Sequence, residues 1–144
     1  MCELCDARAF LKGQEWKILQ DDEVTVNYSK SPEVDGHLVI QPRRHVERIT
    51  ELSFNEWSCI SEALYRYSKA VEKALNERAK GDEVEKVYLW CFCRSPYNHL
   101  HFHIKPKMRS HKAEGPDFVD YKDPRRQLDE KGQKSIVDKI RKSL

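Results

Sequence analysis

His99-Leu100-His101-Phe102-His103-Ile104 is the stretch on which the reading of this chain turns. Imidazole and apolar side chains alternate strictly, and a β-strand sends successive side chains to opposite faces. Leu100, Phe102 and Ile104 therefore point into a core. His99, His101 and His103 line the other face, roughly 7 Å apart along the strand. Packing gives no reason for three acid–base groups on one rigid face. Two chemistries fit them. One imidazole can act as a nucleophile, because neutral imidazole is available at pH 7 and leaves again once phosphorylated. Alternatively, the histidines can be ligands of a catalytic metal.

Outward from this stretch, Val87 to Cys93 and His99 to Lys105 read as an antiparallel hairpin joined through residues 94 to 98. Trp16 to Leu19 and Val24 to Tyr28 read as short strands around an acidic turn. Gly36 to Gln41 is a β-branched run that reads as a buried strand closed by Pro42. Ser53 and Glu56 form a capping box. From there Trp57, Ile60, Leu64, Tyr67, Val71 and Leu75 recur at helical spacing, which predicts a helix running to about Lys80 and stopping at Gly81. Asp123 with Pro124 looks like a second helix start, followed by a thin apolar edge of Leu128, Ile136, Ile140 and Leu144; Gly132 weakens that helix. The class is α+β: about five antiparallel strands, one long helix and a C-terminal helix. Residues 1–108 form the main domain. Residues 109–144 form an extension within the same compact unit.

The 144 residues suffice for one domain with a core. Twenty-six basic and 24 acidic residues leave a net charge of +2, too even for a nonspecific grip on nucleic acid. No apolar run approaches a membrane span, and the start Met-Cys-Glu-Leu-Cys lacks the features of a signal peptide. Five cysteines, an odd number, favour reduced thiols or a metal over a disulfide framework. The expected location is the cytoplasm. Cys59, Cys91 and Cys93 read as core thiols. Cys2 and Cys5 form a Cys-x-x-Cys pair that can hold zinc with two further ligands.

Gly36-His37-Leu38-Val39-Ile40-Gln41-Pro42-Arg43-Arg44-His45-Val46, followed by His99-Leu100-His101-Phe102-His103, resembles the two signature segments of the histidine-triad (HIT) family. The intervening helix and the N-terminal Cys-x-x-Cys also match, so the resemblance covers roughly residues 2 to 108. It implies a nucleotide-conjugate hydrolase acting on a phosphoramidate, an adenylate or a dinucleoside polyphosphate, with a purine nucleotide as substrate. His101 would attack the α-phosphorus and form a nucleotidyl-histidine. The main-chain carbonyl of His99 would orient the His101 ring, and His103 would contact the phosphate. His37 would stand beside the triad. Ser29 occupies a position where relatives often carry a ribose-binding Asn, with Asn27 two residues earlier. Ser95 and Asn98, with Arg94, would replace the family's phosphate-contacting loop.

The resemblance also implies a structural zinc at Cys2, Cys5, His45 and His99, with no catalytic cofactor required, and a homodimer whose sheets join. Trp57, Tyr65 and Tyr67 offer aromatic surface for such an interface. A histidine at 103, where the family's transferases carry glutamine, favours a hydrolase. Three alternatives stand beside it: a nucleotidyltransferase or phosphorylase of the same family, a zinc-dependent hydrolase with the triad as ligands, and a nucleotide-binding module without turnover.

Overall fold

The computed structural model describes Cys5 and residues 16–78, 80–96, 98–124 and 128–143. Five strands build one sheet: β1 (Lys17–Gln20), β2 (Val24–Tyr28), β3 (Leu38–Pro42), β4 (Val84–Trp90) and β5 (Phe102–Met108). Their spatial order is β1-β2-β3-β5-β4, and every pairing is antiparallel. Helices α1 (Phe54–Asn76) and α2 (Glu130–Lys142) pack with it in an α+β fold. No helix among the described residues is long and apolar enough to cross a membrane.

The alternation in the strands decides which face α1 covers. Val24, Val26 and Tyr28 of β2, Leu38 and Ile40 of β3, and Phe102 and Ile104 of β5 are buried in one cluster with Ile60, Tyr67, Val71 and Leu75 of α1. The expected capping box forms in full: the Ser53 hydroxyl accepts from the Glu56 amide, and the Glu56 carboxylate accepts from the Ser53 amide. Arg44 holds the same carboxylate at 2.8 Å and pulls its pKa down to about 2. The helix ends at Asn76, short of Lys80, where the Asn76 side chain accepts from the Val84 amide at 2.8 Å. Tyr67 is buried in this core, not on an aromatic surface; Tyr65 is exposed.

Gly36 turns the chain into β3 at a place no side chain would fit. Its φ is +80°, and a Cβ there would stand 2.7 Å from Val71 Cγ2 and 3.0 Å from Leu75 Cδ1. The Tyr28 hydroxyl accepts the Gly36 N–H at 2.7 Å.

Three expectations need correction. The second helix starts at Glu130, capped by Asp129, whose carboxylate accepts from the Gly132 amide; the Asp123-Pro124 start is not used. Asp123 instead donates its amide to Glu33 O and accepts from His111. The hairpin is not tight: β4 ends at Trp90 and β5 begins at Phe102, so Cys91 and Cys93 lie beyond the strand, half-buried and exposed. Pro42 belongs to β3 and does not close it from outside. The C-terminal residues do join the core, through Ile136, Val137 and Ile140, and Arg141 reaches the Lys17 carbonyl of β1. This covers the β1 side of the sheet and leaves β4 as the other edge.

Candidate active site

The sheet face turned away from α1 carries the polar residues. Asn27, Val39, His103 and Trp90 form one row across β2, β3, β5 and β4, set by the pairings Asn27↔Val39, Val39↔His103 and Trp90↔His103. The alternation expected from the sequence holds: Leu100, Phe102 and Ile104 are buried on the α1 side. Only His103 of the three histidines lies within β5, however. The chain before it leaves the ladder because the Leu100 N–H is taken by Val46 O at 2.7 Å, and His99 Nε2 bonds to Pro42 O at 2.8 Å. The three rings are thus held in different ways.

His101 Nδ1 stands 2.8 Å from the carbonyl oxygen of its neighbour His99. A carbonyl only accepts, so Nδ1 carries the hydrogen and Nε2 keeps its lone pair. His37 and His103 are joined by a 2.9 Å contact from His37 Nε2 to His103 Nδ1. The Glu33 amide donates to His37 Nδ1 at 3.4 Å, which leaves the His37 hydrogen on Nε2. His37 therefore donates to His103 Nδ1, and the His103 hydrogen sits on Nε2, on the far side of its ring from His37. The His101 and His103 rings meet edge-on at 5.0 Å. Burial, helped by neighbouring imidazoles and Lys105, pushes His37 down to about 3 and His103 to about 4. Both are neutral at pH 7.

The remaining residues divide. Asn27 belongs to this row, and its side-chain carbonyl oxygen is buried without a hydrogen-bond partner. Ser29 follows β2 half-buried, its amide bound to His37 O at 2.8 Å. Arg94, Ser95 and Asn98 are exposed in the connection between β4 and β5. Two residues were missed in the sequence. Trp90 stacks on His103 at 5.0 Å and 18°, and Lys105 is wholly buried two residues along the same face. Lys105 was legible as the next member of the alternating row; Trp90 depended on cross-strand register.

His99 turns the other way. Its Nδ1 lies 3.2 Å from Cys5 Sγ, as does His45 Nδ1. These three atoms all fall within 4.8 Å of one another, forming the one such ligand cluster among the described residues. Each histidine gives its second nitrogen to an oxygen: His99 Nε2 to Pro42 O, and His45 Nε2 to Glu47 at 3.5 Å. That second bond leaves both Nδ1 atoms as lone-pair donors, the arrangement that metal-bound histidines adopt. One sulfur and two imidazole nitrogens fit zinc. Cys2, the expected fourth ligand, lies outside the described residues.

This sheet, with its paired histidine segments, is that of a histidine-triad protein. The HIT domain family model matches residues 12–110, and the chain belongs to that family. An uncharacterised HIT-like protein of Saccharolobus solfataricus is 28% identical over 143 residues, spanning 98% of this chain and 99% of its own. Solved structures share the fold. A Hit-like protein involved in cell-cycle regulation from Bartonella henselae superposes with a TM-score of 0.66 at 21% identity, covering 90% of this chain and 86% of its own. A hypothetical histidine triad nucleotide-binding protein from Sulfolobus tokodaii gives 0.65 at 20%, covering 99% and 91%. A Zn-bound histidine triad family protein from Mycobacterium smegmatis gives 0.66 at 16%, covering 99% and 94%.

Proposed function

We propose that the protein hydrolyses nucleotide conjugates through a nucleotidyl-His101 intermediate. The observation that carries this reading is the 2.8 Å bond from His101 Nδ1–H to His99 O, which aims an unprotonated Nε2 away from the backbone. Attack of that lone pair on the α-phosphorus forms a P–N bond and breaks the bond to the leaving group, which departs with its electron pair and takes a proton from solvent. The imidazolium so formed keeps its Nδ1–H on the carbonyl, which stabilises the positive charge. His103 Nε2–H donates to a phosphate oxygen. Water then attacks phosphorus and gives up a proton to solvent, the P–N bond breaks, and neutral His101 returns with release of the nucleotide. Asn27, whose buried Oδ1 has no partner within the protein, would accept from a ribose hydroxyl once a turn of its side chain exposes that atom.

The donor set at Cys5, His45 and His99 favours a structural role for zinc. A triad-bound catalytic zinc fits the geometry poorly, since the lone-pair nitrogen of His99 faces Cys5 while His101 and His103 spend their Nδ1 atoms on other partners. Zinc would add cross-linking of the chain start to the segment before β5.

The test is a quench in alkaline detergent, because acid would cleave a P–N bond, of the protein mixed with an adenosine 5′-phosphoramidate labelled at phosphorus. Label should appear on His101, located by peptide mass, and be absent from His101→Ala. Release of labelled nucleotide by wild type with no covalent label at any quench time would rule out the covalent route.

A further inference from the structure

Lys105 has no part in the chemistry above, yet among the described residues it is the most completely enclosed lysine. It is 0% exposed. Its ammonium is paired with Glu33 and is bonded to the carbonyl oxygens of Phe118 at 2.9 Å, Val119 at 3.1 Å and Tyr121 at 2.6 Å. The first of those carbonyls ends a short 3-10 turn, Gly115–Phe118, and the other two follow it; the turn is fixed on β4 by the Gly115 N–H to Tyr88 hydroxyl bond at 2.8 Å and by Phe118 against Tyr88 at 5.3 Å. Burying a lysine is costly unless the charge is fully satisfied, and here oxygen acceptors on the loop before β3 and on the C-terminal extension surround it.

Glu33 is the informative partner. Its carboxylate holds Lys105, its carbonyl accepts from the Asp123 amide at 3.0 Å, and its own amide donates to His37 Nδ1. The amide that dictates which His37 nitrogen carries the hydrogen is therefore anchored by Lys105. We propose that Lys105 is a positioning residue for the His37–His103 pair: by clamping Glu33 against the C-terminal extension it fixes the hydrogen on His37 Nε2, and through it the hydrogen on His103 Nε2. The 109–144 extension thereby takes part in the site without touching substrate.

The groups facing the pair are consistent with this role. His37 meets Glu33 from its own loop, His103 from β5, and Trp90 of β4 at 6.3 Å. His103 meets His37, His101 and Trp90. Lys105 lies under the same Trp90 ring, at 5.6 Å, and is the positive charge acting on both imidazoles; its field adds to burial in keeping them neutral. A second hydrogen on His37 would set Nδ1–H against the Glu33 N–H, so neutrality and the direction of the bond go together.

The proposal rests on the nucleotidyl-His101 reading only for its effect on turnover, so the primary measurement uses no nucleotide. Imidazole nitrogen–proton correlation spectra of the full chain should show His37 and His103 each as one species, protonated at Nε2. Lys105→Met should convert them to mixed tautomers and raise their protonation midpoints. If that variant does not fold, Glu33→Gln decides alone: mixed tautomers are expected in smaller degree, without a rise in the midpoints, because the Lys105 charge stays in place. Wild-type tautomers and midpoints in folded Lys105→Met, or wild-type tautomers in Glu33→Gln where Lys105→Met fails, would overturn the proposal and reduce Lys105 to a stabilising contact. Where labelling of His101 has been established, its rate should fall about 10-fold or more in the folded variant. Absence of labelling in wild type would count against the hydrolase reading and leave the tautomer result intact.

Discussion

His103 and His37 are bases kept uncharged by their surroundings, and that has a sign in acid. An ordinary histidine takes a proton near 6.5, but these two do so only near 4 and 3. Between the two limits the unfolded chain binds protons that the native chain refuses. Stability contributed by keeping them neutral is present in full above about 6.5 and falls as the pH drops toward 4. For His103 the loss amounts to roughly 2–3 kcal/mol. Urea unfolding at pH 7 and pH 4 should show it, and His103→Gln should shrink the difference; an equal difference in the variant would contradict the assignment. His37, His99, His101 and His103 were visible in the sequence because alternation and spacing act along the chain. Trp90 and the Lys105–Glu33 clamp were obscured because their contacts depend on which residues sit opposite across strands, and Glu33 is 72 positions from Lys105.

The elements were most legible where local chemistry is self-contained. Ser53 and Glu56 cap α1 because both partners lie within one helical turn, and its apolar spacing dictates the face that meets the sheet. The helix start at Asp129 was missed because two aspartates compete, and the winner is decided by which carboxylate reaches an amide. Gly132, which argued against a helix there, sits in its first turn under Leu128, where a Cβ would come within 3.0 Å of the Leu128 Cβ. The loose β4–β5 connection could not be read at all, since it follows from Val46 claiming the Leu100 amide. Gly36 gives the sharpest test at this scale. Gly36→Ala combines a left-handed backbone with a clash against Val71 and Leu75, and should cost about 2 kcal/mol or more. Chemical denaturation would measure it; an unchanged midpoint would mean that α1 shifts easily relative to β3.

Across the molecule, the sheet has two sides with separate tasks, and the chain start is brought to the segment that orients His101. Cys5, His45 and His99 come from three separated stretches of chain, so a metal among them would close long loops. Zinc analysis of the purified protein should give about one ion per chain. Removing it with a strong chelator should lower the thermal midpoint by several degrees, and Cys5→Ser should reproduce the shift while abolishing its dependence on chelator. A midpoint indifferent to both would assign Cys5 to a free thiol. The α+β class and the five-stranded sheet were evident in advance, because they follow from patterning. The way residues 109–144 are stitched to β1, β4 and the loop before β3 was not, because that rests on single polar contacts between distant stretches.

The enclosed Lys105 also makes the protein its own reporter. An amine-acylating reagent can reach the ammonium groups on the surface, whereas the nitrogen at 105 is 0% exposed and bonded on every side. Its acylation therefore waits for the extension to lift away, and mass spectrometry of that single position against time would clock how often the native protein opens.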